Sequence, residues 1–284
     1  MVNLVSIIIP CYNQGHYIEE ALDSIDKSSL KYPIEIIIVN DGSTNEQTIK
    51  KLAELAKNEH ILLINQKNMG LAIARNVGIT HAKGNYILPL DADNKITSEY
   101  INKAVAKLLE GCCDIVYGEP IFFGEDIKRR KYKSQNFNIY DLLERNYIDA
   151  CAIFTKDVWI KNKGYDNYMP IKGYEDWEFW INAYSNGFSF FFLKQPLFYY
   201  RITENSMVDS YSKEKFMQVH HYLIQKHTLL FLQFFIKLSY IKRKYDTDIQ
   251  RWYISPFIFL FYLLKIIKKP DQKAAVKFSH YLLK

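Results

Sequence analysis

The chain repeats one event four times before residue 110: a short apolar run ends at a polar or glycine-bearing turn, and apolar positions at helical spacing follow. Leu4 to Ile9 runs into Pro10, which cannot donate to a sheet ladder, then through Asn13-Gln14-Gly15 to Ile18, Ala21, Leu22 and Ile25. Ile34 to Val39 ends in Asn40-Asp41-Gly42-Ser43-Thr44, with Ile49, Leu52, Ala53 and Ala56 on one face beyond it. His60 to Asn65 leads past Gly70 to Leu71, Ala74, Val77 and Gly78, and Tyr86 to Asp93 precedes Ile101, Val105, Leu108 and Leu109. Strand and helix alternating in this way demand right-handed crossovers and a mainly parallel sheet covered on both faces, a doubly wound α/β layer. Ligands of such sheets gather at the C-terminal ends of the strands.

Beyond Asp114 to Gly118 the alternation weakens. Lys128-Arg129-Arg130-Lys131 reads as a loop, Tyr140 to Tyr147 as an amphipathic stretch, and Gly173 to Trp180 as the opening of a helix. Phe188 to Leu193 and Leu197 to Arg201 read as two strands. With 284 residues, 49% of them hydrophobic, the chain can bury a large core, which excludes a disordered or collagen-like protein. Charge divides it: from Lys213 onward 14 Lys and Arg face 4 Asp and Glu, while the first 212 residues hold 23 against 27. A basic, aromatic, helical extension over 213–284 is therefore set apart from a slightly acidic body over 1–212, and it calls for an acidic partner.

Within the extension, Trp252 to Leu264 is apolar over 13 residues and contains Pro256, short of the about 20 a spanning helix needs. Flanked by Arg251, Lys265, Lys268 and Lys269, it either lies in an anionic membrane surface or packs on the body with its lysines in water. Nucleic acid is not expected, since no groove-reading helix or binding module accompanies the charge. Cys11, Cys112, Cys113 and Cys151 lack metal-binding spacing and read as buried thiols of a reducing compartment. No basic leader precedes the first strand, so the expected location is the cytoplasm, with the extension at the inner face of the cell membrane.

Four groups of polar residues fall where predicted strands end. Asp91-Ala92-Asp93 closes the fourth run; on an extended chain its carboxylates would point the same way and repel by roughly 1 to 4 kcal/mol at about 4 Å. A divalent cation, Mn2+ or Mg2+, removes that repulsion and brings phosphates with it; an acidic cap on the strand is the alternative. Asp41 before Gly42 can accept from a base or ribose, or serve an Asx turn. Arg75, on the third helix, can reach a phosphate or nucleobase, or stand in solvent. Glu175-Asp176 ahead of Trp177 and Trp180 offers a general base beside an indole face suited to a sugar ring, or simply compensates a helix dipole.

Taken together, Ser6 to Asn13, Val39 to Ser43, Gly70 to Asn76, Asp91 to Asp93 and Glu175-Asp176 resemble the family 2 glycosyltransferases of the glycosyltransferase A fold, over roughly residues 4 to 205. The resemblance implies an inverting enzyme that moves a sugar from a nucleotide-diphosphate donor, UDP by default, to a hydroxyl of a glycan or lipid-linked glycan. Pro10 and Tyr12 would line the nucleotide pocket, Asp41 would bind the base with Arg75 assisting, Asp91 would hold ribose or metal, and Asp93 would ligate the metal. Asp176 would be the catalytic base, with Glu175 and Trp177 at the acceptor. Relatives often carry Tyr-Arg-x-His near the end of the fold, whereas Tyr200-Arg201-Ile202 is followed here by Thr203; Arg201, Asn205 or Ser206 would then contact phosphates. Of two rival readings, an Asp-x-Asp phosphatase leaves the other strand-end residues unexplained, and the intact acids argue against a non-catalytic docking protein of the same fold at a membrane.

Overall fold

The computed structural model of the protein describes residues 3–26, 28–125, 132–203 and 212–252. The four expected units are β1 (Val5–Cys11) with α1 (Ile18–Asp23), β2 (Ile34–Asp41) with α2 (Glu46–Leu55), β3 (Ile61–Gln66) with α3 (Leu71–His81), and β4 (Tyr86–Pro89) with α4 (Tyr100–Leu109). A two-residue strand, β5 (Lys95–Ile96), precedes α4; then come β6 (Ile115–Gly124), α5 (Ile139–Glu144), β7 (Ile153–Thr155), α6 (Lys156–Asn162), α7 (Glu175–Ser185) and β8 (Phe190–Ile202). The strands form one sheet in the order β3-β2-β1-β4-β7-β6-β8-β5. The first four are mutually parallel, β7 runs antiparallel to both its neighbours, and β5 is antiparallel on the far edge.

Both faces of the parallel half are covered, which explains why its strands are apolar on both sides. Val5, Ile7 and Ile9 point into a core shared with Ile18 and Ala21 of α1 and Tyr100, Ile101, Ala104 and Val105 of α4. Ile8 points the other way, under α3. A Cβ on Gly78 would stand 2.5 Å from Ile8 Cγ2, so the absence of a side chain lets α3 lie directly on the sheet.

Three expectations are corrected. The two strands read over Phe188 to Arg201 are one, β8, whose pairing with β6 shifts register where Glu119 meets Pro196. Proline has no N–H to give a ladder, so it sits at the irregularity. The fourth strand stops at Pro89 rather than reaching Asp93, because the chain turns there with Asn94 N donating to Asp91 O at 3.0 Å. Cys112 is exposed, while the other three cysteines are buried.

Helix α8 (Lys213–Lys226) starts at Ser212, whose hydroxyl accepts from Lys215 N, and buries Val219 and Leu223. It is fastened to the body by ions: Lys226 Nζ lies 2.6 Å from Asp166 and 2.9 Å from Glu178, and His227 Nε2 lies 2.9 Å from the same Glu178 oxygen. The compact body accordingly runs to Thr228, past the charge boundary at residue 212. The second unit begins at Leu229, and its described part is residues 229–252 of helix α9 (Thr228–Trp252). Among the described residues no helix is long and apolar enough to cross a membrane. The basic loop at 128–131, Asn205, Ser206, and the apolar stretch after Trp252 lie outside the described residues.

Candidate active site

A cleft of about 630 Å³ opens where β1 and β4 end, lined by Pro10, Gln14, Leu71, Arg75, Asp91 and Asp93 on one side. Its other walls come from residues 145–150, 173–177 and 200–203 and from the start of α8. Five carboxylates line it: Asp91, Asp93, Asp149, Glu175 and Asp176.

The turn at Asp91–Asn94 separates the two acids of the Asp-x-Asp pair. Asp91 Oδ1 takes a hydrogen bond of 2.6 Å from Arg75, which is not a solvent-facing helical arginine but is almost wholly buried. Burial alone would favour its neutral form; the charge of Asp91, with Asp176 and Glu175 beyond it, outweighs that and holds it cationic. Arg75 Nε keeps no hydrogen-bond partner, leaving one buried donor uncommitted. Asp93 lines the cleft and accepts from Gln14 Nε2 at 3.2 Å. Its carboxyl rises to about 7, first through burial and then through the charge of Asp91, against its own backbone N–H and Arg201.

Asp176 sits in the first turn of α7, each oxygen held by one donor: Trp177 N at 2.8 Å on Oδ1 and Asn146 Nδ2 at 2.9 Å on Oδ2. Asn146 is itself oriented by Ile148 N. Burial pushes this carboxyl up to about 7; Arg75 opposes the rise, Asp149 and Glu175 add to it, and the Trp177 amide opposes it. Glu175 is buried and accepts from Gly173 N at 2.8 Å.

Other expected residues are placed differently. Asp41 is buried behind the lining, where Gln66 Nε2, Met69 N and Gly70 N donate to it at 2.7, 2.8 and 2.9 Å. It clamps the loop that delivers Leu71 to the cleft, with Gly42 at φ +70° where a Cβ would strike Asn68 N at 2.4 Å. Tyr12 is 44% exposed and is not part of the lining. The Trp177 indole offers no face to a sugar: it is fully buried, donates to Leu142 O at 2.6 Å and is stacked by Phe216. Arg201 is not a free phosphate ligand, because its guanidinium pairs with Glu20 at 2.8 Å, donates to Asp93 O and lies over the Tyr17 and Phe123 rings. Thr203 lines the cleft but supplies no imidazole, and the described residues hold no cluster of three or more His, Cys, Asp or Glu able to grip a metal.

Gln14, Asn146 and Asp149 escaped the sequence reading. Asp149, whose carboxyl is raised by burial and by Asp91, accepts from Cys151 N at 2.9 Å and from the Tyr132 hydroxyl at 2.7 Å. A signal existed: β7 is antiparallel to β4, so the residues that precede it, 146–150, arrive at the end where β4 stops. Recognising the apolar Ala150–Phe154 run as a reversed strand would have pointed to them.

Residues 6–175 match the model of glycosyl transferase family 2. The chain is 37% identical to glycosyltransferase GlyA of Streptococcus pneumoniae serotype 4 over 123 residues, 43% of this chain and 17% of GlyA. To glycosyltransferase GlyG of the same organism it is 34% identical over 126 residues, 44% of this chain and 42% of GlyG. The chain thus spans less than half the length of these curated relatives. Among solved structures, residues 1–349 of S. aureus TarS in complex with UDP-GlcNAc superpose with a TM-score of 0.61 at 23% identity, over 77% of this chain and 64% of that one. That likeness is one of fold, the glycosyltransferase A arrangement of a mainly parallel sheet. By the match across residues 6–175, the chain belongs to glycosyl transferase family 2.

Proposed function

We propose that this chain transfers a sugar, with inversion, from a nucleotide-diphosphate donor to a hydroxyl of a glycan or lipid-linked glycan, with Asp176 as general base. The observation that carries the reading is the position of Asp176 in one cleft with Asp91 and Asp93, its carboxyl raised to about 7. Near neutral pH such a group is ionised in a large part of the population and still basic enough to take a proton from an attacking hydroxyl. Its two hydrogen bonds fix the carboxylate plane, so the base is oriented before the acceptor arrives. A UDP-sugar is the favoured donor class, supported by the fold shared with TarS, which was crystallised with UDP-GlcNAc.

The donor set suits a hard divalent cation. Asp91 is committed to Arg75, whereas Asp93 is an oxygen ligand disfavoured as an anion by burial and by its neighbour. One carboxylate is enough for magnesium or manganese, which fill their other positions with water and phosphate oxygens. Asp93 would hold such a cation, whose charge would offset that of the departing diphosphate. Arg75 adds fixed positive charge on the same floor. The basic extension is assigned to an anionic membrane surface on the cytoplasmic side, the charge excess after Lys213 being its support; flotation with anionic liposomes, lost on truncation after Lys244, tests that part.

Hydrolysis and transfer from a panel of nucleotide sugars, with Mn2+ or Mg2+ present, tests the whole reading. Turnover of at least one UDP-sugar is expected, abolished in Asp176→Asn. Failure to bind or turn over any nucleotide sugar would overturn it.

A further inference from the structure

Four cations line the cleft: Arg75, Arg145, Arg201 and Lys213. Two are spent, Arg75 on Asp91 and Arg201 on Glu20. Arg145 and Lys213 form no ion pair or hydrogen bond through their side chains among the described residues, and both stand exposed. Each is tied to the neighbourhood of Asp176 through an adjacent residue. Arg145 immediately precedes Asn146, which donates to Asp176 Oδ2 at 2.9 Å. Lys213 lies one turn before Phe216 on α8, and the Phe216 ring is stacked on Trp177, the residue after Asp176, at 6.1 Å between centroids. The two unpaired cations therefore line the same cleft as the proposed base, together with its five carboxylates.

From this we infer that the acceptor carries an anionic group, a phosphodiester or a carboxylate, gripped by Arg145 and Lys213 while its hydroxyl is presented to Asp176. The inference rests on the proposed role of Asp176, because that role locates the acceptor. Two unpaired cations on the lining attract an anionic group of the acceptor, while the carboxylates of the same cleft repel it from their own side, which orients an elongated ligand. Phe216, 37% exposed beside Lys213, offers an apolar edge to the sugar ring between the charged groups.

Binding to Asp176→Asn full-length protein, with UDP and Mn2+ present, can be measured against length-matched oligosaccharides bearing phosphodiesters, bearing uronates, or neutral. Binding of one or both charged arms is expected, with the neutral arm at least tenfold weaker; the two charged arms separate phosphate from carboxylate. Arg145→Glu and Lys213→Glu should each lower affinity for the charged glycan at least fivefold, a loss exceeding any loss of UDP affinity. Lys57→Glu, on exposed surface at the end of α2, is the control and should do neither. Preference for neutral glycans, no effect of either reversal, an equal loss of UDP affinity, or no binding in any arm would overturn the inference. If Asp176→Asn turns over a UDP-sugar normally, the role of Asp176 fails instead, whatever the glycan binding.

Discussion

Arg75 Nη2 and Asp91 Oδ1 lie 2.6 Å apart on the floor of the cleft, the arginine side chain 2% exposed and the aspartate 30%. The pair joins α3 to the turn after β4, and its two ends are unequally solvated. Removing Asp91 strands a buried guanidinium, whereas removing Arg75 leaves a carboxylate that water can still reach. Asp91→Asn should therefore cost about 3 kcal/mol of stability, as expected for orphaning one partner of a buried pair. Arg75→Met, which deletes the buried charge itself, should cost less than half of that. Urea midpoints of the two variants check the asymmetry; equal losses would mean that the pair is more open than its burial indicates.

The carboxyls of Asp93 and Asp176, both raised to about 7, imply a pH dependence with a definite sign. In the unfolded chain such groups titrate near about 3.9. Between that value and about 7 the folded protein keeps protons that the unfolded chain releases, so this contribution is fully present below the unfolded pKa and is lost as pH rises through the folded one. Melting temperatures of the cation-free protein should fall from pH 5.5 to pH 8, and the double variant Asp93→Asn, Asp176→Asn should flatten that slope. Added Mn2+ should raise the melting temperature more at pH 8 than at pH 5.5, since Asp93 is then ionised, and chelation should reverse the gain. Asp93→Asn should lose the Mn2+ effect at both pH values.

Asp41 accepts three N–H donors, from the Gln66 side chain and from the backbone of Met69 and Gly70. Asp41→Ala should cost roughly 1.5 to 3 kcal/mol, the range for hydrogen bonds to a charged group. The same change should weaken UDP binding by releasing the segment that carries Leu71 to the cleft. Denaturation midpoints and UDP titration together check this; loss of binding with full stability would mean that Asp41 contacts the nucleotide and does little for the loop.

The parallel half of the fold was legible because each strand there is long enough to show a β-branched run and ends in a turn with its own chemistry. In the other half β8 was legible, as two strands, but the two shortest strands were not. Strands β5 and β7 have two and three residues, too few for any periodicity, and their partners are remote in sequence. The motif residues Pro10, Arg75, Asp91, Asp93, Glu175 and Asp176 do meet in one cleft. Their individual contacts were hidden, since whether Arg75 meets solvent or Asp91, and whether the Trp177 indole faces a sugar or Leu142, depends on packing between distant helices. Asn146 and Asp176 are 30 residues apart and are joined by α5 packing on α7, a contact that no local spacing announces.

In the proposed reaction Asp176 is the group that takes the acceptor proton. Transfer or hydrolysis of a UDP-sugar by Asp176→Asn, at saturating donor and pH 7.5, measures that directly. Turnover should fall at least about a hundredfold, the usual worth of one general base, while UDP still binds. Turnover within a few-fold of the unaltered protein would contradict it.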